Sequence, residues 1–165
     1  MDRKMTDALS QIEAFFPYRF AVAAERFSRN LMDVYGKAYG LSREEWRLLF
    51  LLSQAEEIAS NELVQRTTLD KVQLSRASQR LEDKGLITRR VSPADRRIKL
   101  FRSTDEGRRL FDEIKPQVDA RAMEILGAMD DAARQSLQDG MTALLKALDA
   151  PEQVLGAEQS KSVVD

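Results

Sequence analysis

A mainly α fold interrupted by one small β-hairpin is predicted by three observations. Apolar residues recur every three or four positions through most of the chain. That period switches to two across residues 86–103, where two short runs flank a proline-containing loop. Serine, aspartate, glycine and proline punctuate the helical stretches at positions that suit caps and turns. At 165 residues the chain is long enough for one domain with a real core, with helices to spare for packing against a partner.

The first helix is expected from Pro17 to about Tyr39, with Phe20, Ala24, Phe27, Leu31, Val34 and Ala38 on one stripe. Pro17 suits its first turn and Gly40 its end. Ser42 followed by Glu45 forms a capping box that opens a second helix through Trp46, Leu48, Leu49, Leu51 and Leu52, apolar on most sides and so buried. Ser60 is expected to cap a short third helix, NELVQRT. Thr67 and Thr68 then interrupt before a fourth, LDKVQLSRASQRLEDK, that stops at Gly85. Two short helices joined by a tight turn make a helix-turn-helix candidate.

LITRRV and IKLFRS read as strands and SPADRR as the loop between them, with Pro93 where no ladder donor is needed. Ser103 and Glu106 suggest another capping box, opening a long helix from about Thr104 to Gly127 in which Pro116 is expected to produce a kink. Asp130 caps a last helix bearing Leu137, Met141, Leu144, Leu145 and Leu148 on one stripe. Pro151 ends it, and residues 151–165 are expected to form a disordered tail.

Composition narrows the chemistry. The chain has neither cysteine nor histidine, which excludes disulfides, thiol switches, thiolate or imidazole metal sites and imidazole general bases. No glycine-rich phosphate loop is present, and the carboxylates are scattered, so an enzyme is not expected and neither is a cofactor. The acidic residues near the start do not fit a signal peptide, and no apolar run is long enough for a membrane span. A cytoplasmic protein without membrane attachment is expected.

Net charge is −1, but it is unevenly spread: residues 61–110 hold thirteen Lys and Arg against seven Asp and Glu, leaving the remainder at −7. Local potential governs encounter with a polyanion, so a basic centre between acidic arms suits nucleic acid. On a helical wheel the fourth helix puts Leu74, Ala77, Ser78 and Leu81 on one side. Its other side carries Val72, Gln73, Ser75, Arg76, Gln79 and Arg80, types that bond base edges or meet a thymine methyl in a major groove. Arg89, Arg90, Arg96, Arg97, Lys99 and Arg102 crowd one hairpin with Asp95 alone among them, a density expected to self-repel unless a polyanion compensates it. A tip arginine, Arg96 or Arg97, suits the narrow minor groove. Asp95 is expected to orient a neighbouring arginine.

The order helix-turn-helix, LEDKGLITRR, PADRR and STDEGRRL resembles the MarR family of winged helix-turn-helix transcription regulators, over about residues 12–149. Thr68 stands where many relatives have glycine, and Ser103 where leucine is common. The resemblance implies a winged helix-turn-helix lobe over 41–104, with the hairpin as wing, and dimerisation helices at 1–40 and 105–150. It also implies a homodimer on a palindromic double-stranded DNA operator, most often as a repressor. Gln73, Ser75, Arg76 and Arg80 then fall on the recognition helix and Arg97 at the minor-groove position. A small-molecule effector, an aromatic acid, phenol or acyl-CoA thioester, is implied between the dimer helices and the lobe, where Tyr18, Arg19, Arg26, Trp46 and Arg47 are candidates. Apolar stripes longer than one small lobe can cover argue independently for a second copy. A winged module that docks proteins instead of DNA is the alternative reading, and it predicts a hairpin without basic residues.

Overall fold

The computed structural model describes residues 14–149. The elements are α1 (Phe16–Tyr39), α2 (Arg43–Ser53), β1 (Ile58–Ala59), α3 (Ser60–Thr67), α4 (Lys71–Asp83), β2 (Ile87–Val91), β3 (Lys99–Ser103), α5 (Asp105–Gly127) and α6 (Asp131–Leu148). Contacts group the chain into two compact units, 1–123 and 124–165. The expected tail at 151–165 lies outside the described residues.

Local chemistry sets most boundaries. Pro17 sits in the first turn of α1, and Gly40 closes that helix in the left-handed region at φ 63°. The α2 box is complete: Ser42 Oγ accepts from the Glu45 N–H, and Glu45 accepts from the Ser42 N–H at 2.7 Å. Asp70 and Gln73 repeat the device at the start of α4. That helix ends at Gly85, where the Gly85 and Leu86 N–H groups return to Glu82 O and Leu81 O. α5 runs through Pro116 without a break.

Two expected caps move by one residue. Ala59, not Ser60, holds the cap position of α3 and offers no side chain; the Ser60 hydroxyl instead accepts from the Lys99 N–H at 3.3 Å. Likewise Thr104 caps α5, its hydroxyl accepting from the Gly107 N–H at 3.0 Å and donating to Gly85 O at 2.8 Å. Ser103 is spent on β3, where it is buried and faces Ile87. In both places β3 takes the serine that local sequence offers to the helix as a cap, by a side-chain bond at Ser60 and by strand pairing at Ser103.

The sheet is antiparallel in the order β1-β3-β2. The hairpin lies within one residue of expectation, but β1 is an addition: Ile58 and Ala59 pair with Phe101 and Leu100 along the open edge of β3. Two residues carry too little alternation to announce a strand. Alternation within the hairpin puts Ile87, Arg89 and Phe101 on one face and Thr88, Arg90, Leu100 and Arg102 on the other.

In the first unit the core centres on Leu48, Leu49 and Leu52 of α2, against Leu74, Ala77 and Leu81 of α4 and Ile58, Ile87 and Phe101 of the sheet. Full burial of each Leu is worth about 1.5–3 kcal/mol. Tyr35, Trp46 and Phe111 stack in sequence, with centroids 5.2 and 5.5 Å apart. α5 approaches the hairpin root so closely that a Cβ on Gly107 would lie 2.0 Å from Leu86 O. By contrast, Tyr35 is the one buried residue of α1. In the second unit, α6 buries none of its residues, and Leu145 and Leu148 stay exposed.

Candidate nucleic-acid interface

α4 is seated by Leu74, Ala77, Ser78 and Leu81, all buried. Val72, Gln73, Ser75, Arg76, Gln79 and Arg80 are on its exposed side. The approach to this helix is fixed by a turn at Thr68, the one non-glycine described residue with positive φ, at 58°. A β-branched residue there is strained by about 1–2 kcal/mol. Thr67 compensates locally, its hydroxyl donating to Leu63 O and accepting from the Leu69 N–H.

At the wing tip, the Asp95 carboxylate accepts from the Arg97 N–H at 2.9 Å, and Asp95 O accepts from the Ile98 N–H. Ser92 Oγ accepts from the Ala94 N–H. These bonds hold the loop in one shape and turn Arg96 and Arg97 outward, both exposed. Asp95 therefore acts on the backbone of Arg97 and not on its guanidinium. Lys71 and Ser75 of α4 share a groove of about 350 Å³ with Arg97, Ile98 and Lys99 of the wing, so helix and wing tip bound one surface.

The expected self-repulsion at the hairpin is relieved within the chain. Arg89 bonds Glu82, Arg90 bonds both oxygens of Glu57 at 2.8 Å, and Arg102 lies 3.7 Å from Glu56. Arg80 is a second correction. Its Nε donates to Glu45 Oε1 at 2.7 Å, so its guanidinium is turned to the start of α2 and not to the open face of α4. Glu45 is buried and also accepts from Lys84 at 3.1 Å. Burial pushes its carboxyl up, but the Ser42 N–H, Arg80 and Lys84 outweigh it and hold Glu45 below the usual carboxylate range. Gln73 and Gln79 are partly engaged too, Gln73 in the capping box and Gln79 with Asp83 and Arg89.

Sorting all thirteen cations of residues 61–110 separates two groups. Arg66, Arg80, Lys84, Arg89, Arg90, Arg102, Arg108 and Arg109 each pair with a carboxylate. Among the described residues no carboxylate pairs with Lys71, Arg76, Arg96, Arg97 or Lys99. These five stand on the first half of α4, at the wing tip, or, for Lys99, at the start of β3 beside that tip. Sequence reasoning found Arg76, Arg96 and Arg97 and left out Lys71, whose position in the first turn of α4 was the available signal.

The candidate ligand residues divide differently. Trp46 is core, sandwiched between Tyr35 and Phe111, which corrects its place among pocket residues. Tyr18, Arg19 and Arg26 are exposed along α1, and Arg47 is exposed with Nη1 3.4 Å from Thr68 Oγ1. Among the described residues no His/Cys/Asp/Glu group could hold a metal ion, and no helix is long and apolar enough to cross a membrane.

A family model described as MarR family matches residues 39–98. The uncharacterized HTH-type transcriptional regulator YdgJ of Bacillus subtilis (strain 168) is 34% identical over 100 residues, 61% of either chain. The matched stretch thus spans about three fifths of that relative. Among solved structures, the MarR family transcriptional regulator SPO1453 from Silicibacter pomeroyi DSS-3 shares 28% identity at a TM-score of 0.71, covering 84% of this chain and 98% of that one. Sco3205, a MarR family transcriptional regulator from Streptomyces coelicolor solved in complex with DNA, superimposes with a TM-score of 0.72 at 22% identity, covering 81% and 86%. Residues 39–98 thus match the MarR family model, and the chain shares the winged helix-turn-helix fold of solved MarR family transcription regulators.

Proposed function

We propose that this chain is a homodimeric, sequence-specific DNA-binding regulator, a repressor acting on a palindromic operator. α4 of each subunit reads a major groove with Val72, Gln73, Ser75, Arg76 and Gln79, while Arg96 and Arg97 enter or flank the adjacent minor groove. The observation that carries the reading is the placement of the five carboxylate-free cations on α4 and around the wing tip, three of which, Lys71, Arg97 and Lys99, line the groove between helix and wing. A protein-docking module has no use for that segregation.

The second copy is supported by the apolar stripes of α1 and α6, each of which stays largely unburied on its own unit. Two-fold symmetry then sets the recognition helices about one DNA turn apart, roughly 34 Å. An effector with an aromatic carboxylate, a phenol or an acyl-CoA thioester weakens DNA binding by favouring another spacing of the lobes, with Tyr18, Arg19, Arg26 and Arg47 as its contacts. Thermal shift over such compounds, read beside DNA binding, checks that part.

The central test measures binding to the DNA upstream of the coding region across a salt series. Arg97→Ala should weaken binding to all sequences and lower the salt slope by about two, since each lost phosphate neutralisation is worth about 0.9 and a dimer loses two. Arg76→Ala should also blur preference at one base position in each half-site, at a cost of about 1–3 kcal/mol per lost base contact. Binding without salt dependence overturns the proposal.

A further inference from the structure

We infer that Arg89 is a positioning residue that locks the angle between recognition helix and wing, and that it touches no DNA. The inference rests on the DNA-binding reading above and gives Arg89, which lines the wall of the groove between helix and wing, a part other than contact. Arg89 stands on the inward face of β2 with Ile87, opposite Phe101, and its side chain is only 15% exposed. Its guanidinium spans to α4: Nε donates to Glu82 Oε2 at 2.8 Å, Nη2 bonds the same oxygen, and Nη2 also donates to Gln79 Oε1 at 2.6 Å. Gln79 is held from its other end, its amide nitrogen donating to Asp83 Oδ1 at 2.7 Å.

One rigid planar fork therefore grips two side chains one turn apart on the reading helix, from a strand whose continuation carries the wing tip. Without it, α4 and the hairpin are joined by apolar packing and by the short turn at Gly85, which leave a hinge. The consequence for recognition is geometric. Major-groove and minor-groove contacts reinforce each other only when their separation is fixed before binding, because each then loses less freedom on docking. Arg89 also fixes which end of the Gln79 amide faces the wing, so the orientation of a base-reading side chain depends on it.

A phosphate contact and a strut predict opposite things for the carboxylate partner. If Arg89 served DNA directly, Glu82 would only compete for it, and removing that acid would tighten binding. If the pair is a strut, removing either partner loosens it.

The experiment uses the full-length protein and a duplex selected by it from a random-sequence pool, with a scrambled duplex as control. Arg89→Gln, Glu82→Gln and the double variant are compared with wild type at salt concentrations spanning the measurable range, each first checked for folding by thermal melt. The expected result is a ten- to hundredfold loss on the selected duplex for either single change and no further loss in the double variant. The salt slope stays unchanged, and scrambled-duplex binding is little altered. Arg89→Lys, which keeps the charge but not the fork, should show most of the loss. Tighter binding by Glu82→Gln, a slope lowered by about two in Arg89→Gln, or unchanged affinity in both overturns the inference. If Arg89→Gln does not fold, Glu82→Gln alone decides through its sign. Failure of wild type to select any duplex defeats the DNA-binding reading itself and is seen before any variant is made.

Discussion

At the tip of the wing, Arg96 and Arg97 stand exposed with no carboxylate among the described residues, whereas at its root Arg89, Arg90 and Arg102 meet Glu82, Glu57 and Glu56. The residue type is the same and the separation along the chain is short. The difference lies in what each end can reach. Root residues lie beside α4 and the segment between α2 and β1, and both supply acids; the tip projects past them. Basic density along a hairpin therefore marks a charged element, while the subset left uncompensated marks the surface offered to a polyanion. At α4 the same division recurs, with Arg76 meeting no carboxylate among the described residues and Arg80 drawn to Glu45.

The comparison breaks most severely at the hairpin's foot. Gly107→Ala puts a Cβ against Leu86 O and the Ser103 hydroxyl, and the contact is mostly backbone, so it has little room to give. A loss of about 3 kcal/mol in unfolding free energy is expected, read by urea denaturation with the single Trp46 as reporter. DNA affinity should fall with it, as the wing loses its seat.

Acid tests the compensated set. Glu45 is held below the usual range by the causes given above, and Glu25 is lowered from 4.5 to about 2 by its bonds to Arg43 and Arg29. Carboxyls with depressed folded values stabilise the fold fully above the unfolded value, and that contribution is gone once pH has fallen through the folded one. The urea midpoint should hold from pH 7 to about 5 and drop steadily toward pH 3; a flat profile contradicts these ion pairs.

Thr68→Gly sharpens the helical half of the comparison by relieving the left-handed strain before α4. Glycine's larger backbone entropy offsets part of the gain, leaving about 0.5–1 kcal/mol of added stability in the same assay. The smallest effect belongs to Arg90→Ala, whose own exposure makes its pair with the half-buried Glu57 worth about 0.5 kcal/mol or less. Its salt slope on DNA should match wild type, unlike that of Arg97→Ala.

Much of the fold was legible because its signals are local. Pro17 with Gly40, Ser42 with Glu45, and the apolar face of α4 each depend on residues within a turn or two, and the hairpin announced itself through a change of period. Strand β1 escaped because a two-residue strand exists only where β3 offers an edge. The caps assigned to Ser60 and Ser103 moved for a related reason, each serine being claimed by β3, Ser60 through the Lys99 N–H and Ser103 as the strand's last residue. Arg89 was not legible: the sequence groups it with the other hairpin cations, and only the fold turns it to Glu82 and Gln79.

Sequence alone determined which segments become the helices and the hairpin, which face of α4 is apolar, and that the middle of the chain is basic, because hydrogen-bonding periodicity and side-chain polarity act over a few residues. Tertiary structure alone decided which cations stay free. Whether an arginine meets a carboxylate depends on folding that brings Glu45 to Arg80, or Glu57 to Arg90, across more than thirty positions, and Coulomb attraction between side chains falls with distance in space, which residue number does not measure.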